Sequence, residues 1–171
     1  LALTANGTIT DVGVIDVAGT TTLTAGPSND ITLDSASDFG GAVSVVSGRN
    51  VTLQDTGAID LGGSTISGNL NITASGQVSD SGILNVSGNT TVAAGSGNDI
   101  TLDEANNFGG SSGVGVTSGR NVTLNDTGAI QFTTSTISGN LTVTANGAIT
   151  ETGPINVTGT TTLTAGSANA I

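Results

Sequence analysis

The chain has 171 residues, with 2 Arg against 13 Asp and Glu for a formal net charge of −11, and it contains no Cys, His, Lys, Met, Trp or Tyr. That inventory excludes disulfides, the usual zinc and iron ligand sets, and Ser-His-Asp or Cys-His nucleophilic catalysis. Two cations cannot neutralise a phosphate backbone or hold an anionic membrane, and no apolar run approaches the roughly 20 residues of a spanning helix, so neither nucleic acid nor membrane insertion is expected.

Charged residues make up 9% of the chain, 27 residues are Gly, and the mean hydropathy is +0.21. This is too apolar and too uncharged for disorder, and it points to short β-branched strands punctuated by Gly. Self-similarity dominates. Residues 1–31 align without a gap on 141–171 with 20 identical positions, and a middle copy begins at Leu70. Long repeats therefore cover 1–68, 69–139 and, in part, 140–171, and each divides into shorter units.

The first unit, 1–19, alternates Leu1 and Leu3 with Ala2 and Thr4, turns at Asn6-Gly7, and places Ile9, Ile15 and Val17 at period-2 positions. Unit 20–48 is longer and carries Leu23, then Ile31 and Leu33, then Val43 and Val45. Unit 49–68 carries Val51, Leu53, Ile59 and Ile66. Unit 69–88 repeats the pattern with Leu70, Ile72, Val78, Leu84 and Val86. Unit 89–119 is again long, with Val92, Ile100, Leu102, Val114 and Val116. Unit 120–139 has Val122, Leu124, Ile130 and Ile137. Unit 140–159 has Leu141, Val143, Ile149, Ile155 and Val157, and Leu163 opens a partial last unit. No 3.6-residue apolar stripe occurs.

Three short strands in about 20 residues cannot bury their own apolar face, so the units must stack on one another. The fold expected is an all-β, right-handed parallel β-helix of about 7.5 coils, one coil per unit. The first strand of each unit is expected to lie on the first strand of the next, which puts Leu23 under Val51 and Val92 under Val122. The chain reads as one solenoid segment, 1–171, of a longer array. Its narrow aliphatic interior is not expected to suit aromatic rings. A two-residue insertion, Ser111 and Ser112, follows Phe108-Gly109-Gly110.

The recurring stretches NLTVTANGAITETGPINVTG (140–159) and RNVTLNDTGAIQFTTSTISG (120–139) resemble the repeat shafts of large bacterial exoproteins of the filamentous haemagglutinin type, secreted by the two-partner route. The resemblance implies a rigid, non-catalytic shaft of an adhesin or fibre, outside the cell or on its surface. Its expected partners are flanking repeats of the same chain, identical neighbouring subunits, and host or surface glycans. The alternative is a binding module on the same solenoid, for carbohydrate, for a calcium-dependent ligand or for ice.

Each candidate site has a plainer reading beside it. Asp30, Asp34, Asp99, Asp103 and Glu104 sit in the extended units, where Gly95-Ser96-Gly97-Asn98-Asp99 resembles half of a calcium nonapeptide and the matching Gly26-Pro27-Ser28-Asn29-Asp30 loses a Gly. The spacing does not recur every nine residues, and solvated acidic turns explain these residues as well. No other cofactor is expected. Phe39 and Phe108 occupy equivalent loops, either as a contact ridge or as covers for the side of the helix. Thr22, Thr52, Thr91, Thr123, Thr142 and Thr162 are expected in one outward column, and Thr4, Thr24, Thr73, Thr144 and Thr164 in a second, as a water-ordering face or as β-formers pairing between coils. Asn50, Asn121 and Asn140 head glycosylation sequons, yet their recurrence suits hydrogen bonds from coil to coil. Arg49 and Arg120 are placed either to pair with nearby acids or to grip an anionic sugar.

Overall fold

A computed structural model describes residues 1–109 and 112–171. Gly110 and the inserted Ser111 lie outside the described residues. Among those described there are 22 strands and no helix. The chain is a parallel β-solenoid in which every pairing is parallel and links a strand to the one roughly twenty residues on. The offset is 20 residues from Ile31 to Val51, 19 from Val51 to Leu70 and 20 from Leu70 to Thr90.

Two long ladders line one core. The first runs through Ala2–Thr4, Thr21–Thr24, Val43–Ser47, Ile59–Leu61, Val78–Asp80, Ile100–Asn106, Val122–Asp126, Leu141–Ala145 and Thr161–Thr164. The second runs through Ile9–Thr10, Ile31–Phe39, Val51–Asp55, Leu70–Ala74, Thr90–Ala93, Gly113–Ser118, Ile130–Phe132 and Ile149–Glu151. Shorter pairs extend them: Asp16–Val17 against the end of Ile31–Phe39, Ser64–Ile66 against Leu84–Val86, and Ser135–Ile137 against Ile155–Val157. Eight windings separate the first and last strands of the nine-stranded ladder, which at about 4.8 Å per rung makes a rod about 38 Å long.

Alternation along each strand decides which side is buried. In Leu70–Ala74 the side chains of Leu70, Ile72 and Ala74 point inward and are buried, while Asn71 and Thr73 are exposed, and Leu141–Ala145 repeats the pattern. Most of the inward positions expected from sequence form one continuous core, which Leu61, Ala25, Ala74, Ala94 and Ala145 join at the corners; toward the ends Leu3, Ile15, Val17, Ile155, Val157 and Leu163 are only partly buried against it, and Leu1 is exposed.

Two expectations are corrected. The extended units are one and a half turns, not one. In unit 20–48 the strand Thr21–Thr24 lies on the first ladder, Ile31–Phe39 on the second, and Val43–Ser47 returns to the first, stacking Thr21 on Val43. Val51 consequently lies on Ile31, and Leu23 lies under Val45 instead. Unit 89–119 does the same, and Val122 lies on Ile100 while Val92 lies on Val116. Each long repeat thus spans three and a half turns. Equivalent strands one repeat apart change ladder: Ala2–Thr4 on the first, Leu70–Ala74 on the second, Leu141–Ala145 on the first again. This is why the windings exceed the 7.5 expected.

The interior also holds rings. Phe39, Phe108 and Phe132 are at most 1% exposed, so none forms a contact ridge. Phe39 follows a register shift between Leu33 and Ser37, and Phe108 follows the matching shift between Leu102 and Asn106. Extra backbone leaves the regular spacing at these points and makes room for a ring. Phe132 stacks on Val114 in the strand that holds Gly113 and Gly115.

Candidate functional site

The polar side chains that recur most strictly sit at the corners between ladders. Asp30 accepts two hydrogen bonds from Arg49 one turn on, from Nε at 2.8 Å and from the terminal guanidinium nitrogen at 2.8 Å. The backbone N–H and the side-chain amide of Asn50 donate to the same carboxylate at 3.1 and 3.0 Å. Asp99, Arg120 and Asn121 reproduce the arrangement at 2.7 to 3.1 Å. The Arg hydrogen bonds, helped by the Asn N–H, hold both carboxyls well below the usual carboxylate range, and the guanidinium groups are raised in turn. Of the two sequence readings for Arg49 and Arg120, pairing with acids is the one observed.

From each of these corners an asparagine ladder continues. Asn50 Oδ1 accepts the N–H of Asn69, Asn69 Oδ1 that of Asn89, and Asn89 Oδ1 that of Gly113. A second run passes from Asn121 to Asn140 to Thr160. The side-chain carbonyl replaces a rung where the backbone turns. The glycine before each Asn makes room for it: a Cβ on Gly68 would lie 2.5 Å from Asn50 Oδ1, and one on Gly88 2.5 Å from Asn69 Oδ1. Coil-to-coil bonding is thus the role these Asn residues play in the fold.

The calcium candidates are not gathered. Asp30 and Asp99 are engaged by Arg. Asp34 and Asp103 are exposed, and their N–H groups donate to Asp11 and Asp80. Glu104 is exposed, and no three acidic side chains among the described residues lie together as a metal-ligand group. The outward Thr columns are split between ladders, as the half-turn offset requires. Thr52 pairs with Thr32 and Asn71, whereas Thr123 pairs with Thr101 and Thr142, so the longest uninterrupted Thr run is Thr101, Thr123, Thr142 and Thr162. A recess of about 300 Å³ beside Gly40 and Gly41 presents Asp60, Gln77 and Ser79 to solvent.

Sequence reading missed a set of buried polar groups. Asp55 and Asp126 are 1% and 2% exposed. Asp55 accepts the N–H of Phe39 at 2.9 Å and of Gly57 at 2.6 Å, and Asp126 does the same for Phe108 and Gly128. Burial pushes the Asp126 carboxyl up, and the two N–H groups oppose that rise. Asp80 is likewise raised by burial, against a hydrogen bond from Asn106. The signal was present: Asp55 and Asp126 occupy the strand end where the other copies have Ala74 and Ala145. They cap the irregular backbone that the extended unit introduces.

A family described as repeats of unknown function (DUF5649) matches residues 1–46, 48–115 and 119–171. The middle match has the length of one long repeat. No curated protein and no solved structure matches the chain.

Proposed function

We propose that this chain, which belongs to the DUF5649 family of repeats, is the rigid shaft of an extracellular or cell-surface adhesin or fibre and carries no catalytic site. One observation carries the reading. The nine-stranded ladder and the core run unbroken from Ala2 to Thr164, and the polar groups that recur are spent on holding one turn to the next. A continuous main-chain ladder over a packed aliphatic interior resists bending, because every rung must distort together.

The chemistry supports a non-catalytic role. Both guanidinium groups are held by Asp30 and Asp99 in pairs that fasten one turn to the next. The resemblance to filamentous haemagglutinin-type shafts supports placement outside the cell. It also supports flanking repeats or identical subunits as axial partners and glycans as the contact of the whole assembly. No cofactor enters this reading.

Two measurements test it. Electron microscopy of the purified full-length protein should show a straight rod lengthening by about 4.8 Å per twenty residues of repeat. Antibodies raised against the repeat should label intact cells. Flexible beads, or label found only after permeabilisation, would overturn it.

A further inference from the structure

We infer that each extended unit is a brace that ties three successive turns together, so that the solenoid yields in blocks of one long repeat and not turn by turn. This goes beyond the shaft reading and does not depend on where the protein resides.

In a regular solenoid each turn touches only its neighbours, and unfolding can proceed one turn at a time. The loop Gly26–Asn29 breaks that rule. Its Pro27 carbonyl accepts a hydrogen bond from Ser67 Oγ at 2.6 Å, 40 residues and two turns further on. The turn between is bound in the same place: Arg49 N–H donates to the Asn29 carbonyl at 2.7 Å, and the Arg49 guanidinium takes both oxygens of Asp30. Asn29 Nδ2 closes the loop on Ala25 O at 2.8 Å, and Gly26 supplies the positive φ of 89° that the loop needs.

The second extended unit repeats the device. Ser138 Oγ donates to the Ser96 carbonyl at 2.6 Å across 42 residues, Arg120 N–H donates to Asn98 O at 2.7 Å, and Gly95 has φ of 81°. Between the braces, at Asn69 and Asn89, the asparagine rungs and the backbone bonds beside them reach only the adjacent turn. Ser67 and Ser138 are thus the only side chains among the described residues that bond two turns away at these corners.

The mechanical consequence follows from the order of bond breaking. Peeling a braced turn must break its own ladder and the bond to the second turn beyond it. At the force that achieves this, the unbraced turns that follow give way at once, until the next brace. One release should therefore free about 70 residues, near 250 Å of contour at about 3.5 Å per residue, against about 70 Å for a single turn.

Single-molecule stretching of the chain between handles tests the claim, with the S67A/S138A double variant beside it. That variant leaves the core, the ladders and both Arg–Asp pairs in place. The expected result is that, once the unbraced ends beyond Ser138 and before Pro27 have peeled, the wild type shows no release shorter than about one braced block, while the variant gains releases near 70 Å throughout. The S67T/S138T variant, which keeps a hydroxyl, should behave as wild type. Single-turn releases from within residues 27–138 of the wild type, or a double alanine variant with the wild-type release pattern, would overturn the inference.

Discussion

The substitution Gly88→Ala separates close packing at the asparagine ladder from the general cost of altering glycine. A Cβ at Gly88 would stand 2.5 Å from Asn69 Oδ1 and 2.5 Å from the carbonyl carbon and oxygen of Gly68. The backbone atoms cannot move aside as a side chain would. Relief requires either a backbone shift, costing about 1–3 kcal/mol as overpacking does, or ejection of Asn69 from the ladder. Ejection loses the 2.9 Å bond to the Asn89 N–H, worth about 0.5–1.5 kcal/mol. Loss of unfolded-state freedom offsets about 0.4–1 kcal/mol, leaving a net destabilisation of up to about 2.6 kcal/mol by the backbone route. Gly97 is the internal control: no atom lies within 4 Å of its Cβ position and its φ is not positive. Gly97→Ala should therefore be neutral or stabilising by up to about 1 kcal/mol. Urea unfolding followed by far-ultraviolet circular dichroism reads both, and amide exchange at Asn89 reads the ladder locally. Equal midpoints for the two variants would refute the claim that the SGN corners need glycine for the asparagine beneath them.

Three further outcomes are expected. Thr90 is 1% exposed between Leu70 and Val114, and its hydroxyl has no partner among the described residues, so Thr90→Val should stabilise by about 1–2 kcal/mol in the same urea assay. The Asp30 and Asp99 carboxyls are depressed below their ordinary value of 3.8, so their contribution is present above that pH and is lost as pH falls below it; the raised Asp126 and Asp80 act oppositely, stabilising the fold as pH falls toward 3.8. The double variant Asp30→Asn, Asp99→Asn should accordingly show a shallower acid-side fall in urea midpoint than wild type, and parallel curves would count against the corner pairs. Finally, spin labels at Ser28→Cys and Gly97→Cys, introduced into a chain without cysteine, should lie at opposite corners of the coil, where the chain passes from the first ladder to the second and from the second to the first, and so clearly farther apart than three rungs of one corner by pulsed dipolar spectroscopy; about 14 Å, three rungs up one corner, would contradict the half-turn offset.

What the sequence displays and what it hides have a common physical cause. A period-2 strand announces its buried side, so Leu70, Ile72, Ile100 and Leu102 are legible as core from alternation alone. Nothing in such a strand announces its partner. Val51-Thr52-Leu53 would sit equally well on Thr21-Thr22-Leu23 or on Ile31-Thr32-Leu33, since all three present β-branched or aliphatic residues at the same in-out-in spacing. The choice is made by the length of chain between them: about twenty residues complete a turn, and the 20 from Ile31 to Val51 meet that requirement where the 30 from Leu23 to Leu53 do not. The buried carboxylates were hidden for the opposite reason. Asp55-Thr56-Gly57 reads as an ordinary exposed turn, and only the irregular chain at Phe39, one turn below, creates the unpaired N–H that draws the carboxylate inward.

The extended units thereby do two things with one insertion. Adding half a turn moves every later strand to the other ladder, so whatever a repeat displays is displayed alternately on two flanks, and the arrangement returns to its starting flank after two long repeats, as Ala2–Thr4 and Leu141–Ala145 show. The same added residues break the ladder spacing, which is destabilising unless the freed groups find partners. They find them in side chains of the extended unit and of the unit that follows it: Asp55 and Asp126 for the Phe N–H groups, Asp30 and Asp99 for the two Arg residues, Ser67 and Ser138 for the loop carbonyls. The charged and hydroxyl residues that depart from the simple repeat are thus concentrated where the winding departs from it. An uncharged twenty-residue unit can be copied without limit, but a half-turn offset needs these particular residues each time it is made.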